Sequence, residues 1–198
     1  NKTGGVNNSF VSLCKKKNMT KKVYDTDYFF KKGELICFKG LNRFANKEEL
    51  QKAVNAWIGG DKTTYGHIKD WDTSLVTDMS KLFFEKKDFN DDISKWNTIN
   101  VTNMENMFFK AAKFNQDIGG WNVSNVTNMK RMFNFCEAFN QPIGRWDVSN
   151  VTNMGIMFNR AAKFNQPLNN WDVSNVTNMG SMFNRASNFN QDISGWVV

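Results

Sequence analysis

A chain of 198 residues with 18 Phe, 7 Trp and 10 Met against only 2 Pro carries enough large apolar side chains for a real core and has the size of one or two domains. Its formal net charge of +7 is concentrated at the start: residues 1–50 hold 11 Lys or Arg against 5 Asp or Glu, and residues 51–198 hold 15 against 14. That distribution excludes a nucleic-acid surface spread along the whole chain, and three scattered cysteines (Cys14, Cys37 and Cys136) exclude a disulfide framework or a Cys-rich metal site, leaving one Cys14–Cys37 bridge open.

Residues 1–44 read as a basic leader, with Lys15, Lys16, Lys17, Lys21 and Lys22 in an extended arm over residues 1–22. Glu34-Leu-Ile-Cys-Phe-Lys39 predicts a short strand. Residues 45–70 are expected to form a capping helix and entry strand. Asn46 and Glu49 stand three apart, close to a capping box, and Leu50, Ala53, Val54 and Trp57 then form the apolar stripe of a helix that would cover an otherwise open first coil. The chain begins at Asn1 instead of Met, as a processed or trimmed product would. No run of 18 apolar residues is present, so no membrane-spanning helix is expected.

From Trp71 onward the sequence repeats. Trp71, Trp96, Trp121, Trp146, Trp171 and Trp196 are spaced by 25 at every step, and a fixed period between 20 and 50 residues marks a stacked repeat protein whose units bury their apolar faces against one another. Residues 71–198 thus make five 25-residue repeats and a terminal strand. Within a unit, Met129, Met132, Phe133, Cys136 and Phe139 fall at offsets 0, 3, 4, 7 and 10, which predicts the inner face of a short helix, with Thr127 and Thr152 placed to cap such helices. Trp146-Asp147-Val148 alternates as a short strand does. The expected fold class is therefore an α/β repeat: a leucine-rich-repeat-like, right-handed solenoid with one short strand and one short helix per 25-residue coil and an N-terminal capping segment, its strands about 4.8 Å apart.

The columns of this register separate structure from chemistry. Asn90, Asn115, Asn140, Asn165 and Asn190 fill one column without exception and read as a ladder supporting the turn. Two residues on, Asp92, Asp117 and Asp192 share a column with Pro142 and Pro167, so no carboxylate is required there. Asp72, Asn97, Asn122, Asp147 and Asp172 form another column that could offer oxygens to a hard cation but reads first as an ordinary turn column; no metal or other cofactor is assigned. Sequons at Asn100, Asn122, Asn125, Asn150 and Asn175 lie too close together for all to carry glycans and read as structural, unlike those at Asn7 and Asn18; a further one starts at Asn1.

The string Val-Thr-Asn-Met-x-x-Met-Phe-x-x-Ala-x-x-Phe-Asn-Gln, as in Val151 to Gln166, resembles the roughly 25-residue bacterial surface protein repeat. It is also similar to the BspA-like branch of leucine-rich repeats, whose Ile-Gly-x-x-Ala-Phe-x-x-Cys-x-x-Leu core shares its offsets; Cys136 stands in the Cys column. Phe44 to Trp57 with Tyr65-Gly66-His67-Ile68 resembles the segment that precedes some of these arrays. The resemblance implies a solenoid used for attachment or assembly, as in surface proteins and lipoproteins of bacteria and in proteins of microalgae and large DNA viruses, and it implies no catalytic residues.

His67 is the single histidine, no phosphate-binding or nucleophile motif is present, and identical columns present identical groups; the chain reads as a non-enzymatic protein. Specificity is expected where columns depart from the repeat. Lys110, Arg160 and Arg185 share one column and Lys113 and Lys163 another, a basic stripe that the third unit interrupts with Phe135 and Ala138, its charges moving to Lys130 and Arg131. With Phe84, Phe109 and Phe135 as anchors, this stripe is the candidate docking surface for an acidic protein partner. The leading reading is a structural, protein–protein interaction subunit of a larger assembly, at a cell surface or in a multi-protein particle. The alternatives are adhesion to carbohydrate or extracellular matrix and, less favoured, nucleic-acid binding by the Lys-rich leader with Tyr24, Tyr28, Phe29 and Phe30.

Overall fold

The computed structural model describes Tyr28–Lys31, Glu34–Cys37 and residues 43–197. The arm lysines Lys15, Lys16, Lys17, Lys21 and Lys22, with Cys14, Tyr24 and the sequons at Asn1, Asn7 and Asn18, lie outside the described residues. Strands β1 (Tyr28–Lys31) and β2 (Glu34–Cys37) pair antiparallel in the register Tyr28↔Cys37 to Lys31↔Glu34.

Helix α1 spans Lys47–Ile58 and starts where its chemistry says it should. Asn46 is extended, its side chain accepts the Glu49 N–H at 3.0 Å, and Glu49 Oε2 reaches back to the Ala45 N–H at 3.0 Å, so two otherwise unsatisfied amides are paired reciprocally. Leu50, Ala53, Val54 and Trp57 are buried as the stripe predicts. They face the first repeat, to which α1 is also tied by polar bonds: Gln51 Nε2 donates to the Leu82 carbonyl at 3.0 Å and Trp57 Nε1 to Asp91 Oδ2 at 2.8 Å. Arg43 makes a parallel bridge to Asp72, with the Phe44 amide on the Asp72 carbonyl at 3.1 Å. A 3-10 turn, Ile68–Asp70, then leads into Trp71, with His67 Nδ1 accepting the Lys69 amide.

From Trp71 each unit bonds to the unit 25 residues away. Parallel bridges run Asp78–Asn103–Asn128–Asn153–Asn178. Rings of one column stack on those of the next: Phe108 on Phe133 at 5.7 Å, Phe133 on Phe158 at 5.5 Å, Phe139 on Phe164 at 5.9 Å, and Trp146 on Trp171 at 6.5 Å. Each stacked pair adds roughly 0.5–1.5 kcal/mol beyond the area it buries. From Trp96 onward each indole also points its N–H back across the stack, as from Trp121 to Ile93, Trp146 to Ile118 and Trp171 to Ile143 at 3.1–3.2 Å. Trp71 through Trp171 are buried, and Trp196 on the last unit is partly so.

The expected helix within each unit is absent among the described residues, and consecutive turns take its place. The Met129 carbonyl accepts the Met132 amide and the Phe133 carbonyl the Cys136 amide, each across three residues. The third residue of each turn, Arg131 and Phe135, takes a left-handed φ of 55° and 60°. The same two positions are left-handed in every unit, ten non-glycine residues in all among those described. The reason lies in where the amides go. Arg131, Phe133 and Phe135 donate along the stack to the carbonyls of Gly155, Met157 and Asn159, bonds that a helix would have turned inward along its own axis. The strand at Trp146-Asp147-Val148 likewise reduces to a buried–exposed–buried alternation, the ladder falling at the Asn153 column instead. Thr127 and Thr152 do not cap helices; each gives both its amide and its hydroxyl to the Thr carbonyl one unit back.

Candidate partner-binding face

Most polar columns are consumed in holding the units together. In the Asn90 column, Asn115, Asn140, Asn165 and Asn190 each donate a backbone amide to the side-chain oxygen of the Asn one unit back at 2.8–2.9 Å. The following Gln side chains bond the same residue's carbonyl. Asn100, Asn125, Asn150 and Asn175 donate Nδ2 to the carbonyls of Ser74, Ile99, Ser124 and Ser149 at 2.7–2.8 Å. Asp72, Asn97, Asn122, Asp147 and Asp172 each accept the amide two residues on. In Asp172 the Ser174 hydroxyl and amide hold the carboxyl below its ordinary range. No cluster of three or more metal-ligating side chains occurs among the described residues.

The columns left over carry the predicted stripe, and the structure divides it in two. Glu85, Lys110, Phe135, Arg160 and Arg185 occupy one left-handed position in successive units, which turns their side chains outward. Lys110 Nζ sits 2.7 Å from Glu85 Oε1, and Lys113 Nζ 2.6 Å from Asp88 Oδ1, where its hydrogen bond and charge depress the Asp88 carboxyl. Lys130 reaches Glu105 at 4.0 Å. These cations are neutralised by the unit before them. Arg160, Lys163 and Arg185, all exposed, have no ion pair among the described residues. The Arg160 guanidinium instead lies 4.9 Å above the Phe135 ring.

Three half-exposed phenylalanines run beside these cations. Phe84 stacks on Phe109 at 4.8 Å, and Phe109 meets Phe135 edge-on at 6.0 Å. The structure thus joins Phe109, Lys110, Phe135 and Arg160 into one continuous strip, Lys110 Nζ lying 5.1 Å over the Phe109 ring. The sequence reading missed Leu75 and Ile99, each 46% exposed in adjacent units. The signal was available: Leu75 stands in the Asn100 column and Ile99 in the Ser124 column. Cys136 is no reactive group. It is fully buried, its Sγ is 2.9 Å from the Phe108 carbonyl, and burial pushes its thiol pKa far up.

Residues 48–154 and 121–198 each match the family described as Mycoplasma protein of unknown function, DUF285. The chain belongs to that family. Both DUF285 matches fall on the repeats, and the first begins within α1, so the capping helix and the stack it covers are shared with the family pattern. No curated protein and no solved structure matches the chain. Among the described residues no helix is long and apolar enough to cross a membrane.

Proposed function

We propose that the chain is a non-enzymatic interaction protein, an assembly or surface scaffold subunit built as a right-handed solenoid of the leucine-rich-repeat kind. In this reading the strip formed by Phe109, Phe135 and Arg160, with Lys163 and Arg185 beyond it, receives an acidic protein partner. The observation that carries the proposal is the Phe135–Arg160 pair: a half-exposed ring stacked under a cation that no carboxylate among the described residues neutralises. Aromatic and Arg side chains are the groups that dominate protein interfaces. The neighbouring columns have spent their polar atoms on the next unit, which leaves less for carbohydrate to bond. Cross-linking mass spectrometry on material from the native source tests it. Cross-links from Lys110 and Lys163 to one dominant acidic protein are expected, and purely internal cross-links would move adhesion to a non-protein ligand to the front.

A further inference from the structure

A second surface stands apart from that strip, where the Asp92 column changes to proline. In three units the turn before the tryptophan is closed by its own Asp: Asp92, Asp117 and Asp192 accept the amides of Ser94, Gly119 and Ser194 at 2.9 Å. These bonds hold the Asp92 and Asp192 carboxyls below their ordinary range. Pro142 and Pro167 replace the Asp in two consecutive units, and the corresponding amides of Gly144 and Asn169 have no acceptor among the described residues. The equivalent amides elsewhere are met by solvent-accessible carboxylates, so these two face outward as well. Both residues line a groove of about 570 Å³, together with Gly120, Arg145 and Asp117. Arg145 is exposed and makes no ion pair among the described residues. Asp117, whose carboxylate is committed to Gly119, bounds the groove on the N-terminal side.

Packing accounts for part of this shape. A Cβ at Gly119 would come 2.4 Å from the Pro142 carbonyl oxygen, and one at Gly144 2.4 Å from that of Pro167, so those glycines are required by the stack itself. Gly120 is different: a Cβ there meets nothing within 4 Å, and the open space beside Arg145 is not dictated by contact with the neighbouring unit.

We propose that this groove binds an extended acidic segment of a partner protein. Its carboxylates take the places that Asp carboxylates hold in the flanking units, accepting from the Gly144 and Asn169 amides with the Arg145 guanidinium alongside. The spacing selects the sequence. Equivalent rings in these two units lie 5.9 Å (Phe139 to Phe164) and 6.5 Å (Trp146 to Trp171) apart, and alternate residues of an extended peptide recur on one side about every 6.6 Å. An acid-x-acid segment running along the stack axis therefore presents one carboxylate to each uncapped amide.

The test uses the 15N-labelled full chain titrated with acetyl-Gly-Asp-Gly-Asp-Gly-amide and with its Asn-for-Asp counterpart, and is independent of the partner sought through Phe135. The Gly144 and Asn169 amide resonances are expected to shift with the acidic peptide alone, while Ser94, Gly119 and Ser194 stay in place. Arg145→Ala should weaken that binding about tenfold, and the double variant Pro142→Asp, Pro167→Asp should abolish it by restoring the internal acceptor. Equal shifts with the Asn peptide, equal shifts at the Asp-capped amides, or a response to inorganic phosphate without one to the peptide would overturn the proposal.

Discussion

The Trp146 indole donates to the Ile118 carbonyl at 3.1 Å, 28 residues back along the chain. The bond is buried, and the ring that makes it also stacks on Trp171. One side chain thereby adds a second bond to the carbonyl that closes the Ile118–Trp121 turn and stacks under the next unit. Trp146→Phe keeps an aromatic ring but removes one of the two bonds to the Ile118 carbonyl, which retains the Trp121 amide, and opens a void, so chemical denaturation should show a loss of about 1–3 kcal/mol. Trp196→Phe, on the partly buried last unit, should cost clearly less.

The left-handed turns make a prediction opposite in sign to that of a helix. Arg160 sits at φ 59°, a conformation that costs a non-glycine residue about 1–2 kcal/mol. Arg160→Gly should therefore leave thermal stability unchanged or raise it by up to about 1 kcal/mol, whereas the same change inside a helix would lower it by about 1 kcal/mol. A fall in Tm would contradict the turn geometry.

At the junction of α1 with the first unit, Lys47 Nζ bonds both the Ser80 hydroxyl and Asp78 Oδ2, the latter at 3.1 Å. Burial alone would raise the Asp78 carboxyl; the Ser80 amide and hydroxyl and the Lys47 ammonium outweigh it and hold the pKa below 3.8. A depressed pKa gives stability that is fully present above the unfolded value and is lost as pH falls through the folded one. Hydrogen-exchange protection in α1, taken relative to the intrinsic rate at each pH, should fall below about pH 4 in the native chain, and Asp78→Asn should remove most of that pH dependence.

Asn100, Asn125, Asn150 and Asn175 hold their side-chain nitrogens, the atoms a glycosyltransferase would modify, on the carbonyl of the preceding unit. Expressed through a eukaryotic secretory route, the folded chain should yield unmodified peptides at these four sites by mass spectrometry. Occupancy at Asn125 and Asn150 would show that the ladder is open long enough to be modified.

The sequence made the core legible and misled about the backbone that carries it. Met129, Met132, Phe133, Cys136 and Phe139 are all fully buried, as their offsets require. Yet two successive four-residue turns return side chains to one side at nearly the same offsets as a helix, so spacing alone does not separate them. What separates them is the partner of each amide, which lies in the neighbouring unit and leaves no local trace. The capping helix was readable because its signals are local: an Asn cap, a Glu three residues on, and a stripe ending at Trp57. The division of the basic stripe went unread although its signal lies in the columns, where Glu85 precedes Lys110 and Asp88 precedes Lys113; stacking turns column neighbours into ion pairs. The uncapped amides of Gly144 and Asn169 needed the structure, because the missing bond is visible only beside the units that make it.

Docking of a partner on the Phe135–Arg160 strip, as proposed, is tested by the affinity of the cross-linked partner for the native chain and for the Phe135→Ser, Arg160→Glu variant. Interface anchors of this kind contribute about 2 kcal/mol or more, so the variant should bind at least about thirtyfold more weakly while its melting profile stays close to that of the native chain. A change of less than about twofold in a folded variant would place the binding surface elsewhere.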